Sequence, residues 1–318
     1  MDIIGKRKLF LVVSGIITLV SILCIVVFGF RLSIEFTGGS RLELVSVSGK
    51  TLDTQKIKSV IEQASIPVVT IRAINSKDVT IRTETITDKQ KKDIIAKLNK
   101  QGQDVKEKSF ETLGPVIGGE TRNNALKAVV IAIIAITLYI AFAFRHVSKP
   151  VSSWKFGVSA ILALMHDVVV VLGAFSLFGI LWGVEVDSLF ITAILTIMGF
   201  SVHDTIVVFD RIRENLIKNV RNLTFEEVVN NSFNETLARS FNTSLTVVLV
   251  LLALILFGGE SIRWFIVAFL VGIITGTYSS IFIASSVLVS WYHWDKKSGG
   301  LGGFFKKVSP KRKKVSKK

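Results

Sequence analysis

Several ionisable side chains stand inside stretches of the chain that are otherwise apolar. Asp204 follows His203 in one such stretch, and Arg239 stands at the start of another. His166 and Asp167 are adjacent near the middle of a third. Ionisable groups in apolar surroundings are costly and usually face a cavity or a partner, so these residues are candidates for function.

Proton relay is the chemistry that these residue types allow. Burial raises the pKa of a carboxyl group toward neutrality, whereas a nearby arginine lowers it. A carboxylate placed between these two influences can take up and release a proton as helices move. The relay candidates are Asp204, Arg239 and His203, and the secondary candidates are His166, Asp167, Ser201 and Thr205.

The alternative to a relay is a static role, in which the same groups form ion pairs or hydrogen bonds that hold helices together. Spacing alone leaves both roles open for Asp204, and it favours the static role for His166 and Asp167. Hydroxyl residues beside Asp204 leave sodium open as the coupling ion instead of a proton. We expect no cofactor and no metal ion. His166, Asp167 and His203 together do not complete a set of metal ligands.

The amino-acid composition predicts that the apolar stretches containing these residues lie in a lipid bilayer. Half of the 318 residues are apolar, and the formal net charge is +15. A soluble domain of this length could not bury so much apolar surface in one core. A helix needs about 20 mostly apolar residues to cross the hydrocarbon layer. Six stretches are predicted to do so: 9–29, 124–144, 156–180, 188–209, 243–259 and 263–292.

Lysine and arginine in the short loops predict the orientation of these spans. They concentrate in the N-terminus, in the loops after the second and fourth spans and in the C-terminal tail, so we expect both termini in the cytoplasm. The first span is too long for a signal peptide and lacks a cleavage pattern, so we interpret it as uncleaved. The predicted divisions are 1–30 for the N-terminus and first span, 31–123 for an extracytoplasmic domain, 124–294 for a five-helix bundle with a cytoplasmic loop at 210–236, and 295–318 for a basic tail.

The segment 31–123 is predicted to be a ferredoxin-like α+β domain. Strand patterns at 41–47, 68–74, 78–84 and 103–112 are interleaved with helix patterns that begin at Asp53 and Asp88. The resulting order of strand, helix, strand, strand, helix, strand is the split arrangement of ferredoxin-like domains. The segment contains no histidine and no cysteine, which favours binding or mechanical coupling over catalysis.

Three further patterns have mainly structural interpretations. Residues 224–237 are predicted to form a short amphipathic helix on the cytoplasmic surface. Gly272 and Gly276 have the spacing that favours close helix packing. The lysine-rich tail at 306–318 would suit anionic lipid or RNA; we expect lipid and no nucleic acid, although a simple topological anchor explains the tail equally well.

Several motifs, in order and at matching spacings, resemble those of the SecF branch of the SecD/SecF family, protein-export subunits of the RND superfamily. They are EFTGG at 35–39, LGPVIGGE at 113–120, GFSVHDT at 199–205 continuing to FDRIRE at 209–214, FGG at 257–259 and GTYSS at 276–280. The resemblance extends from about residue 9 to residue 292. Any one motif is weak evidence, but their combination is specific.

The resemblance implies an RND-like half-transporter of six transmembrane helices that pairs with SecD in the bacterial inner membrane. Such a pair is expected to use the proton-motive force to promote translocation of a preprotein through the SecYEG translocon. It also implies that Asp204 and Arg239 belong to the proton path, which favours the relay over the static role. His203 stands where many members have asparagine, and Glu35 stands where aspartate is usual. Because histidine titrates near neutral pH, His203 could join the relay.

Three other functions are open at this point. An RND-like proton-coupled exporter of lipid or small molecules would act as a homodimer and would need a substrate pocket between subunits. A purely structural assembly factor would tolerate Asp204→Asn. An intramembrane enzyme is disfavoured, because the sequence contains no visible nucleophile and base pair, and we therefore expect no enzymatic activity.

Overall fold

The structure, a computed structural model, describes residues 3–145, 151–218 and 223–298. Its α-helices in chain order are α1 (Arg7–Phe28), α2 (Ile34–Thr37), α3 (Thr54–Gln63), α4 (Asp88–Lys100), α5 (Pro115–Ala143), α6 (Ser153–Leu181), α7 (Ser188–Lys218), α8 (Phe225–Phe257), α9 (Arg263–Tyr278) and α10 (Ser285–Ser298). Its strands are β1 (Gly39–Ser46), β2 (Val68–Ala73), β3 (Asp78–Thr83) and β4 (Val105–Leu113). A π-helical segment, Ser279–Ala284, joins α9 to α10.

Among the described residues, six helical stretches are long and apolar enough to cross a membrane, which confirms the predicted number of spans. They are Ile4–Phe28, Pro115–Ala143, Ser153–Leu181, Ser188–Lys218, Phe225–Phe257 and Glu260–Lys296. Each overlaps one predicted span, because a continuous apolar run of sufficient length satisfies its backbone polar groups in lipid as a helix. The basic tail was predicted at 295–318, and its lysine-rich part at 306–318, which was predicted to contact anionic lipid, lies outside the described residues.

The fifth span differs from its prediction, which placed a separate amphipathic helix at 224–237. A single helix, α8, begins at a capping box of Thr224 and Glu227 and continues without interruption to Phe257. No glycine or proline stands within it to end the first part. The predicted loop at 210–236 is correspondingly helical on both sides of residues 219–222, which lie outside the described ranges.

Glycines allow close contact between membrane helices at two places. A Cβ atom added to Gly276 of α9 would lie 3.2 Å from the Cβ atom of Ser201 on α7. A Cβ atom added to Gly173 of α6 would lie 2.6 Å from the Cα atom of Ser21 on α1. Such small residues let helix backbones approach closely in lipid. The predicted packing face of α9 therefore does contact a neighbouring helix.

The domain between the first and second spans contains a four-stranded antiparallel sheet with the strand order β2-β3-β1-β4. Helices α3 and α4 connect the strands in the predicted order, which confirms the ferredoxin-like arrangement. Leu44 on β1 pairs with Val79 on β3, and both are buried in the core of the domain. Helix α4 is capped by Thr87, one residue before the predicted Asp88, because Thr87 and Gln90 form a capping box.

Two consecutive glycines permit the tight start of this sheet. Gly38 and Gly39 both have positive φ angles, +74° and +108°. A Cβ atom on Gly39 would lie 2.6 Å from the carbonyl oxygen of Thr83, and one on Gly38 would lie 2.7 Å from the Cα atom of Pro115. Glycine is therefore required at both positions for conformation and for space.

The compact unit that contains the sheet comprises Phe30–Val130 and also Glu185–Ile191, whereas the predicted domain was 31–123. Arg82, buried on β3, attaches the added segment. Its Nη1 atom donates to the carbonyl oxygen of Leu32 at 2.7 Å and to the carboxylate of Glu185 at 3.0 Å. No strand pattern in the sequence pointed to this segment, because side-chain contacts and one isolated bridge attach it.

The first turn of α7 belongs to the same unit and is held by two carboxylates. Asp187 accepts the N–H of Phe190 at 2.8 Å, and Glu35 accepts the N–H of Ser188 at 2.7 Å. Burial raises the pKa of the Asp187 carboxyl; the hydrogen bond from Phe190 opposes this shift, and the nearby Glu35 adds to it. Both carboxylates satisfy N–H groups that the start of a helix leaves unpaired.

Candidate proton-relay site

Asp204 lies on α7 with 8% of its surface exposed. The hydroxyl of Ser240, on α8, donates to the Oδ1 atom of Asp204 at 2.6 Å. The Oδ2 atom is buried and has no hydrogen-bond partner in the described part of the chain. One serine thus positions the carboxyl group and leaves its second oxygen buried and unpaired among the described residues.

Asp167, on α6, is completely buried and has three polar side chains around it. The hydroxyl groups of Ser201 and Ser279 both donate to its Oδ2 atom, each at 2.6 Å. The Nδ1 atom of His166 lies 3.1 Å from its Oδ1 atom. Asp167 therefore links α6 to α7 and to the sixth span.

The π-helical segment Ser279–Ala284 supplies one of these donors. Ser279 and Ser280 are adjacent and both completely buried, and the hydroxyl of Ser280 lies 3.3 Å from the carbonyl oxygen of Ser201. The side chains of consecutive residues in an α-helix point in directions about 100° apart around the axis. The wider turn of a π-helix changes these directions. Such segments occur frequently at functional sites.

Arg239 does not meet Asp204 within this chain. Its side chain is exposed on α8, one residue before Ser240, and it forms no hydrogen bond or ion pair with the residues that the structure describes. Asn242, Thr243 and Thr246 are exposed on the same helix. A cation and several polar groups exposed at membrane depth need protein or water beside them.

The remaining candidates have different surroundings. His203 is exposed on α7 and does not join His166 and Asp167. The hydroxyl of Thr205 donates to the carbonyl oxygen of Ser201 at 3.0 Å, which satisfies it locally. Within the described ranges, no three His, Cys, Asp or Glu side chains gather in a way that would hold a metal ion.

The structure thus divides the predicted residues into two sites. One consists of Asp204 and Ser240, and the other of Asp167, His166, Ser201 and Ser279. The sequence analysis missed Ser240 and Ser279. Ser279 lies inside the recognised motif at 276–280, and Ser240 directly follows Arg239, so both stood beside features that had already been noticed.

Fold and sites together define a six-span membrane protein with a ferredoxin-like domain and two buried carboxylates among the described residues of its helix bundle. The family described as protein export membrane protein SecD/SecF, C-terminal, matches residues 93–294, and the SecD/SecF GG motif matches residues 25–45. The chain belongs to the SecD/SecF family. The GG motif includes Gly38 and Gly39, whose backbone conformation and close contacts require glycine.

Relatives named protein translocase subunit SecF match the chain over nearly its whole length. The one from Thermobaculum terrenum is 40% identical over 92% of this chain and 95% of its own. The one from Anaerolinea thermophila is 40% identical over 96% of this chain and 97% of its own. The protein translocase subunit SecDF of Thermus thermophilus is 37% identical over 83% of this chain but only 35% of its own length.

A solved structure confirms the fold. The crystal structure of SecDF from Thermus thermophilus, described as a translocon-associated membrane protein, matches with a TM-score of 0.79 at 34% identity. The match covers 92% of this chain and 39% of that one. The chain is therefore a membrane protein with a role in Sec-associated protein translocation. Relatives in which the matched region is part of a longer SecDF chain indicate association with SecD.

Proposed function

We propose that this chain is a SecF-type subunit that, with SecD, uses the proton-motive force to promote preprotein translocation through SecYEG. It acts as a transport subunit and not as an enzyme. It lies in the bacterial cell membrane with both termini in the cytoplasm and residues 31–123 outside it. Protonation of Asp204 is coupled to movement of the outer domain against the emerging polypeptide.

The unpaired oxygen of Asp204 carries the proposal. A buried ionised carboxylate without a full set of partners is expensive, and a proton removes that cost. Ser240 holds one oxygen in place at 2.6 Å and leaves the buried Oδ2 atom as the position for the proton. A group of this kind changes charge when its surroundings change, which is what a relay requires.

The exposed polar stripe of α8 supports a shared site with SecD. Arg239 and the exposed groups that follow it stand on a helix whose other exposed residues include Leu245 and Leu249. An arginine facing lipid would be costly. We therefore propose that this face of α8 contacts the SecD subunit. There, Arg239 compensates the charge on the proton path.

The test measures export in cells depleted of the native protein and supplied with wild type or Asp204→Asn at matched expression. We expect the variant to assemble with SecD while export falls to the level of the depleted cells. Export should then show no further response to collapse of the proton gradient. Asp167→Asn is the matched control, because it makes the same chemical change at the other buried carboxylate and should retain the response.

Two results would decide against the proposal. Normal export with Asp204→Asn would reduce Asp204 to a packing residue and the chain to an assembly subunit. If wild-type export responds to collapse of a sodium gradient and not of the proton gradient, the coupling ion is sodium and not the proton.

A further inference from the structure

The two edges of the outer sheet differ in charge. Strand β4 forms one edge, and four of its nine residues are charged: Lys106, Glu107, Lys108 and Glu111. Strand β2 forms the other edge, and Arg72 is the one charged residue among its six. All residues of Phe30–Val130 are described, and none of them forms a strand beyond β2.

Charged side chains on an edge strand discourage pairing with other chains. On β4, three of the four charges, those of Glu107, Lys108 and Glu111, also form ion pairs, with Lys91, Asp78 and Arg41 respectively. By contrast, β2 exposes Val69, 54% of which is accessible, next to a row of backbone groups without a strand partner. Strand β2 is therefore the edge that is open to strand addition.

Val69 lies at a β-bulge in strand β2. Val68 pairs with Thr83 and Thr70 pairs with Arg82, so Val69 has no partner on β3. A bulge of this kind bends a strand locally and limits regular pairing to a short length. Any strand added here would be correspondingly short.

A groove lies beside this edge. It has a volume of about 260 Å³ and is lined on one side by Thr54, Gln55 and Lys58 of α3 and on the other by residues 68–71 of β2. Its walls carry hydroxyl, amide and aliphatic groups with a single lysine. Such a lining offers room for a side chain without selecting strongly for one type.

We propose that the β2 edge and its groove bind a short extended segment of the translocating polypeptide by strand addition. This inference rests on the proposed function. Strand addition takes its affinity from main-chain hydrogen bonds, which any sequence can supply. A sequence-tolerant contact suits a substrate that varies in sequence, and the small groove suits transient contact better than a permanent subunit interface, which typically buries more than about 2,000 Å² in total.

Site-specific crosslinking tests this assignment in the full chain with SecD in membranes. A photoreactive residue replaces Val69, and a second protein carries it at Lys106 on the β4 edge. During export of an arrested preprotein, we expect crosslinks to the preprotein from position 69 and few from position 106. Equal yields from both positions would overturn the proposal. Crosslinks from position 69 to SecD or to a second copy of this chain would also overturn it.

A charge variant provides an independent readout. Val69→Lys should reduce preprotein crosslinking from a photoreactive residue at Thr54, across the groove, by about fivefold, because a lysine on an edge strand discourages pairing with another chain. Val47→Lys is the control, because Val47 is similarly exposed, at 63%, and lies outside both edge strands. An equal loss in both variants would contradict a specific site.

Failure of this inference can be distinguished from failure of the proposed function. If Asp204→Asn stalls export while position 69 crosslinks no preprotein, the strand-addition site alone is wrong. If Asp204→Asn exports normally, the proposed energy coupling is wrong, and the crosslinks from position 69 still decide whether the β2 edge contacts polypeptide.

Discussion

The two buried carboxylates of the helix bundle differ in how completely they are hydrogen-bonded. Asp167 is completely buried and has two serine hydroxyls and one imidazole around it. Asp204 is almost as buried, yet a single hydroxyl reaches it and its Oδ2 atom has no partner among the described residues. Burial alone therefore does not distinguish these two carboxylates; the number of hydrogen-bond donors that reach them does.

The two sites are neighbours on α7. Ser201, which donates to Asp167, precedes Asp204 by three residues and so lies on the same face of that helix. A fully paired carboxylate holds α6, α7 and the sixth span together beside it. In the proposed function, the incompletely paired carboxylate changes its charge beside this fixed contact between helices.

Removal of the fully paired carboxylate should have the largest effect on stability. Asp167→Ala is expected to lower the free energy of unfolding by about 3 kcal/mol, because two hydroxyls and an imidazole lose their acceptor inside the protein. Chemical denaturation in detergent would measure the change. Asp167→Asn keeps an oxygen acceptor and should cost less. Equal stability of wild type and Asp167→Ala would show that the donors find other partners.

Replacing one serine donor at each carboxylate by alanine should have effects of intermediate size. Ser279→Ala should cost about 1 kcal/mol and leave the response of export to the proton gradient unchanged, because Asp167 keeps its other donors. Ser240→Ala removes the one donor to Asp204 and should weaken that response. Ser240→Thr, which keeps the hydroxyl, should restore it. A weakened response in both alanine variants would mean that the two carboxylates act as one site.

Elements formed by local pattern were predictable, and elements formed by distant contacts were not. Apolar runs predicted the six spans, and alternation with local caps predicted the strands and helices of the outer domain. The bond between Asp167 and Ser279 joins residues 112 positions apart and depends on a π-helical segment that leaves no pattern in the sequence. The exposure of Arg239 likewise depends on the rotation of α8 about its axis, which its span boundaries do not determine.

Among these variants, Asp204→Asn is expected to have the smallest effect on stability, and it distinguishes the two carboxylate sites most clearly. Asp204→Asn should change the free energy of unfolding by less than about 1 kcal/mol. The amide oxygen still accepts from Ser240, and the loss of an unpaired buried charge offsets the new unpaired amide N–H. The same variant is expected to abolish the response of export to the proton gradient.

Denaturation of Asp204→Asn beside Asp167→Asn, in the same detergent and at the same pH, provides the measurement. Because both variants replace a carboxylate by its amide, the difference between them reports the surroundings and not the chemistry of the change. A loss of stability in Asp204→Asn as large as that in Asp167→Ala would mean that Asp204 also holds the bundle together. The unpaired oxygen would then be no guide to function, and the relay would have to be located by other means.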